Sequence, residues 1–303
     1  MKKKPAPHDQ QDFIAGILAA NNPAAVASEP HLKAALTETL SHQGRLVRAG
    51  LVIQAAARHG LSGSATEQIA CALEYWHQAS LVFDDLPCMD DAERRRGMPC
   101  LHRTHGEATA ILAALALINR AYALVQRAYA LESAEVRQNA CELVDVALGT
   151  SGMLGGQAED LRFGSGERAS REVGRIAWRK TGALLWLALS LPLLPSGMWQ
   201  RERRNLRALS VYWALAYQAM DDLLDVSAQA GGSGKTAGRD AVLRRPNLTI
   251  ALGMPLARRR IERLLAQADG RLRALCSRDV QWTYLADWHE LLFMARYRLF
   301  IAA

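Results

Sequence analysis

Residues 108–131 read ATAILAALALINRAYALVQRAYAL, and their spacing decides the fold class. Leu112, Leu115, Ala116 and Ile118 recur at three- and four-residue intervals, and the polar Asn119, Arg120 and Arg127 also fall at helical spacing. A strand would alternate Val, Ile or Thr with polar residues, and little of the chain does so. The same helical signature returns at Leu184, Leu185, Leu187 and Leu189. That run, residues 182–195, is too short to cross a bilayer and contains Pro192. Both stretches read as buried helices of a soluble protein. Glycine- and proline-rich breaks at 60–64, 97–99, 164–166, 195–197 and 231–234 separate roughly eight to ten helices. With no long linker and no internal repeat, the expectation is one all-α domain over 31–303. Residues 1–30 should be a poorly ordered segment or a short helix.

Composition narrows the function without choosing it. Half of the 303 residues are hydrophobic, enough for a large core, and 37 Lys plus Arg against 30 Asp plus Glu leave a net charge of +7. That excess suits an anionic partner: nucleic acid, a lipid surface or a phosphorylated small molecule. Five cysteines without CxxC spacing build neither a disulfide framework nor a zinc cluster, which points to a reducing compartment. Met1-Lys2-Lys3-Lys4 is followed by Pro5, His8 and Asp9, where a secretory signal needs an apolar stretch. A cytoplasmic protein without a membrane span is expected.

Two acidic clusters carry the chemistry. The first is Asp84-Asp85-Leu86-Pro87-Cys88-Met89-Asp90-Asp91 and the second is Asp221-Asp222-Leu223-Leu224-Asp225. Each follows an apolar helical run, where the negative end of the helix dipole disfavours acid. Asp221 and Asp225 lie one turn apart on one helix face, so something positive is needed between them. A hard divalent cation such as Mg²⁺ fills that role, held by carboxylates and substrate phosphates together. Asp84 and Asp90 are not at same-face spacing, so Pro87 should interrupt the helix and the chain loop back to bring Asp90 beside Asp84. A solvated helix end explains one such cluster readily; it explains two poorly.

Cations surround these acids: Arg94-Arg95-Arg96, Arg45 and Arg48 before His77, Arg179-Lys180-Thr181, and Lys235 with Arg244 and Arg245. Residues 231–236 look like part of a phosphate-binding glycine loop, but Gln229 stands where GxxxxGK[ST] requires glycine. The basic runs 201–207 and 258–263 alternate with apolar residues and read as solvated helix faces, so nucleic-acid binding has only the net charge behind it.

Taken together, these motifs resemble the trans-isoprenyl diphosphate synthases, the family of farnesyl and geranylgeranyl diphosphate synthases. The first cluster with Arg95-Arg96-Gly97 is similar to the family's first aspartate-rich motif in its longer DDx₄D form, and residues 217–225 are similar to the second. Gly155-Gly156-Gln157, Asp160-Leu161, Lys180-Thr181-Gly182, and Gly234-Lys235 with Gly238 and Asp240 follow the family's order. The resemblance spans about residues 40–250. It implies a single bundle of helices around a central cavity, a homodimer, and three Mg²⁺ ions held on an allylic diphosphate by Asp84, Asp85, Asp90, Asp221, Asp222 and Asp225. Asp221 would face Asp84 across that site. Arg95, Lys180, Thr181, Gln218, Lys235 and Arg245 would bind the same diphosphate, with Lys180, Thr181 and Gln218 taking part in catalysis. Arg45, Arg48, His77 and Arg96 would hold isopentenyl diphosphate. Ionisation of the allylic C–O bond, attack by the isopentenyl double bond and loss of a proton would then lengthen the chain by five carbons.

The chain departs from the family pattern at several places, among them Arg244 or Arg245 where the family has a later lysine. Where the family reads GGKRxRP, residues 43–49 are Gln43-Gly44-Arg45-Leu46-Val47-Arg48-Ala49. Phe83 precedes the first aspartate pair, and Tyr217 precedes Gln218. Chain length should follow from Ala79 and Ser80, about one turn (5.4 Å) before Asp84. The resemblance implies that an aromatic residue at the Ala79 position stops growth at fifteen carbons. Small residues there imply geranylgeranyl diphosphate, twenty carbons, unless Trp186 or Met153 closes the tunnel. Farnesyl diphosphate synthesis, a class I terpene cyclase and a weakly active regulatory subunit are the alternatives.

Overall fold

The structure, a computed structural model, describes residues 7–41, 44–162, 170–228, 247–294 and 297. It is all-α, as the periodicity requires; among the described residues the only strands are two of two residues each. The chain divides into two compact units, Met1–Arg137 and Gln138–Ala303.

The first unit contains α1 (Pro7–Asn21), α2 (Pro30–Ser41), α3 (Val47–His59), α4 (Gly63–Asp84), α5 (Leu101–His105) and α6 (Glu107–Ala128). Helix α4 is its axis. Ser62 caps it, its Oγ accepting the Ala65 amide at 3.3 Å, and every residue from Ile69 to Trp76 is buried. A helix apolar nearly all round has to be surrounded, and α3 and α6 pack along it. The near side of α6 is lined by Ala110, Ala113, Ala114, Leu117 and Ala121, whose small side chains let the helices approach closely.

Its far side differs from the buried helix expected of residues 108–131. Leu112 is 54% exposed and Leu115 49%, with Ile111 and Tyr122 beside them. Among the described residues, Glu107–Ala128 is the one helix long and apolar enough to cross a membrane by length and composition. Helix α7 (Ala134–Leu148) carries the chain from the first unit into the second.

The second unit contains α8 (Met153–Leu161), α9 (Ser170–Ala177), a π-helical turn (Trp178–Gly182), α10 (Ala183–Ser190), α11 (Met198–Ala228), α12 (Leu248–Leu252), α13 (Met254–Cys276) and α14 (Thr283–His289). All eight residues of α10 are buried, and Pro192 falls in the 3₁₀ turn that follows. Helix α11 packs against α10, α13 and the π-helical turn. Among the described residues, the five-residue helices α5 and α12, each set off from the next helix by a glycine at positive φ (Gly106 and Gly253), and the π-helical turn raise the number of elements above the sequence expectation.

Candidate active site

In the first unit the acidic loop folds back on the end of α4. The Asp90 amide donates to the Asp84 carbonyl at 2.9 Å, and the Ala92 amide to the Asp85 carbonyl at 3.1 Å. Asp91 closes the loop at φ +45°. The side chains of Asp84 and Asp90 are half-buried, whereas Asp85 is only 4% exposed. Arg95 clamps Asp85, its Nε 2.8 Å from Oδ2 and its Nη2 2.6 Å from Oδ1.

Arg95 is delivered by a short hairpin. β1 (Arg94–Arg95) pairs with β2 (Met98–Pro99) in the register Arg95↔Met98, leaving Arg96-Gly97 as a two-residue loop. Both loop residues have positive φ, +54° and +83°, the backbone of a type I′ turn. Glycine adopts this conformation freely; Arg96 is held in it under strain.

Arginines from the start of α3 and from the hairpin loop gather near α4. His77 is half-buried on α4, and its imidazole is held well below the usual histidine range by burial and by the guanidinium charges of Arg48, Arg96 and Arg95. A Cβ at Gly44 would stand 2.5 Å from an Arg96 guanidinium nitrogen, so glycine leaves the room in which Arg96 lies. Leu46 is 4% exposed and stands as the N-cap of α3 at φ +50°. Arg45 is exposed and Arg48 half-buried. Three guanidinium charges therefore act on one imidazole, which keeps it neutral.

In the second unit, Gly156 of α8 sets the distance to the π-helical turn: a Cβ there would meet Arg179 Cβ at 2.6 Å and the Lys180 amide at 2.8 Å. This close approach lets Asp160, one turn along α8, take Lys180 Nζ at 2.9 Å. Thr181 Oγ1 donates to Gln218 Oε1 at 3.2 Å, and Gln218 Nε2 donates to Asp222 Oδ1 at 2.8 Å. Asp222 Oδ2 accepts the Leu248 amide at 2.7 Å. Asp221 is half-buried on α11, and Asp225 lies one turn further along that helix. Lys235 and Arg245 lie outside the described residues.

Glu74, a buried carboxyl on α4, and the pairing of Asp160 with Lys180 are not expected from the sequence. The four-residue step from Gly156 to Asp160 was the available signal, since it places both on one helix face. The sequence profile of the polyprenyl synthetase family matches residues 29–279. The chain belongs to that family. Membership makes this synthetase an enzyme, a prenyltransferase of isoprenoid biosynthesis.

Over 296 residues the synthetase is 30% identical to geranylgeranyl diphosphate synthase of Pseudescherichia vulneris, covering 94% of this chain and 92% of that protein. It is 34% identical over 268 residues to farnesyl diphosphate synthase of Escherichia coli, covering 86% and 89%. A crystal structure of an FPP/GFPP synthase from Zymomonas mobilis matches with a TM-score of 0.79 at 25% identity, covering 94% of this chain and 98% of that one. The Helicobacter pylori geranyltransferase complexed with magnesium and isoprenyl diphosphate matches with a TM-score of 0.80 at 23% identity, covering 95% and 97%, a likeness of fold.

Proposed function

We propose that this synthetase condenses isopentenyl diphosphate with allylic diphosphates and releases geranylgeranyl diphosphate. The observation that supports the reading is in the first unit: the chain folds Asp90 back onto Asp84 at the end of α4, and His77 lies two turns earlier on the same helix, where the charges of Arg48 and Arg96 reach it. Two diphosphate substrates need two such places.

The carboxylates of Asp84 and Asp90 in the first unit, and that of Asp221 in the second, are hard oxygen donors of the kind that hold Mg²⁺. Bound with the diphosphate, the metal supplies charge neutralisation for the leaving group. Lys180, held by Asp160, and Thr181, held through Gln218, are pre-oriented to bind diphosphate oxygens. As the allylic C–O bond breaks, the departing diphosphate takes the electron pair. The isopentenyl double bond then bonds to the allylic carbon, and the resulting cation loses a proton to the departed diphosphate, so charge and atoms balance. Arg45, Arg48, His77 and Arg96 hold the second diphosphate and aim its double bond. Buried helix walls exclude water from the cation.

Twenty carbons follow from α4. Ala79 is fully buried and small, and the Ser80 hydroxyl donates to the His77 carbonyl at 2.8 Å, turned back along its own helix. The exposed apolar face of α6 supports a homodimer formed with a second copy of the chain. The deciding experiment incubates purified enzyme with isopentenyl diphosphate, each allylic starter and Mg²⁺, followed by product analysis. A C20 product is expected. Product that stops at C15 would overturn the chain-length reading, cyclisation of C20 substrate alone would make it a terpene cyclase, and activity only with an added synthase would make it a regulatory subunit.

A further inference from the structure

Glu74 has no part in the chemistry above, yet it is one of the few acids buried in the first unit. It lies in the middle of α4, 2% exposed, three residues before His77. Its Oε1 accepts the amide of Ala49 at 3.0 Å, across from one helix to the next. Ala49 belongs to the first turn of α3, whose own N-cap residue, Leu46, supplies no capping side chain. The first amides of a helix need acceptors, and its positive end favours an anion. Glu74 therefore caps α3 from α4.

That turn is the one that carries Arg48 and follows Arg45. The guanidiniums of Arg48 and Arg96 act on the Glu74 carboxyl electrostatically, against a burial that pushes its proton affinity up. An apolar side chain would fill this place at lower cost, because a buried carboxyl must be compensated by its neighbours. A packing role alone does not account for an acid here. We infer that Glu74 is a positioning residue for isopentenyl diphosphate: it locks the first turn of α3 to α4, so that Arg45 and Arg48 meet His77 and Arg96 in fixed register. The inference rests on the assignment of those four residues to that substrate.

Steady-state kinetics of Glu74→Ala and Glu74→Gln against wild type test it, with each substrate varied at saturation of the other. In Glu74→Ala the KM for isopentenyl diphosphate should rise about tenfold or more, the loss expected for a charged hydrogen bond, while kcat and the allylic KM stay within about twofold. Glu74→Gln keeps an oxygen for the Ala49 amide and should recover part of that loss. It also covers the case in which the alanine variant fails to fold. Both KM values rising together, or a fall in Tm with neither KM changed, would show a packing residue and overturn the inference alone. Wild type that consumes no isopentenyl diphosphate would instead overturn the substrate assignment, and the positioning role with it.

Discussion

Gln218 donates its side-chain amide to Asp222 at 2.8 Å, one turn along the same helix, and this bond distinguishes the two aspartates of the pair. Asp222 is 1% exposed and both of its oxygens accept protein donors, the second from Leu248. Asp221 is half-buried. The two should therefore respond differently to removal of charge. Asp222→Asn leaves at least one donor poorly matched and should cost about 1–3 kcal/mol of stability, with a lower kcat because Gln218 and Thr181 lose their orientation. Asp221→Asn should instead raise the Mg²⁺ concentration for half-maximal activity. Urea unfolding and a magnesium titration on both variants separate these outcomes.

The same division holds in the first unit, where Asp85 is buried against Arg95. Arg95→Met would strand a carboxylate that is 6% exposed in its side chain, and breaking such a pair should cost about 3 kcal/mol. Asp85→Leu combined with Arg95→Met removes both charges and should recover most of that loss in denaturant unfolding. If the double variant is as unstable as the single one, the pair matters for more than charge compensation.

How far the sequence reading reached depends on how local each interaction is. The spacing of Leu112, Leu115 and Ala116 was enough to place α6, because helical periodicity is written in neighbouring residues. The return of Asp90 to Asp84 was legible too, since Pro87 must stop the helix. By contrast, the Asp222–Leu248 bond joins residues 26 apart and Glu74–Ala49 joins residues 25 apart, distances at which no pattern in the chain announces a partner. The hairpin at Arg94–Pro99 escaped because three consecutive arginines have no strand signature; its turn is forced by Gly97. The single-sided burial of α6 escaped for another reason: an apolar face looks the same in sequence whatever covers it.

Acid should destabilise the second unit through His289. Trp213 Nε1 donates to His289 Nδ1 at 3.0 Å, so that nitrogen must stay unprotonated, and burial lowers the imidazole's affinity for a proton. The unfolded chain then binds more protons than the folded one as pH falls through about 6.5, and stability falls with it. Glu74, whose carboxyl is raised by burial, acts in the opposite sense between about pH 4.5 and its folded value. The comparison of interest is therefore His289→Gln against wild type. The variant should show a shallower loss of stability between pH 7.5 and 5.5, by up to about 1.4 kcal/mol per pH unit for one proton. Parallel profiles would place the acid sensitivity elsewhere.

The outer face of α6 should hold two copies together. Leu112 and Leu115 are 54% and 49% exposed, with Ile111 beside them at 37%. Leu112→Glu with Leu115→Glu leaves the face of α6 that packs on α4 untouched. Sedimentation should show wild type as a dimer and the double variant as a folded monomer at micromolar concentration. A variant that remains dimeric would move the interface to another surface.

Product length is the last consequence of α4. If the growing prenyl chain runs past Ala79, a tyrosine there should halt it earlier. Ala79 is fully buried, so the larger ring will also overpack its surroundings, at a cost of about 1–3 kcal/mol; the variant should be assayed well below its Tm. The expected result is a shift of the main product from C20 to C15, with isopentenyl diphosphate consumption continuing at a measurable rate. Ala79→Val adds less volume and should give a mixture. Unchanged length in a folded, active Ala79→Tyr enzyme would place the end of the tunnel at another side chain.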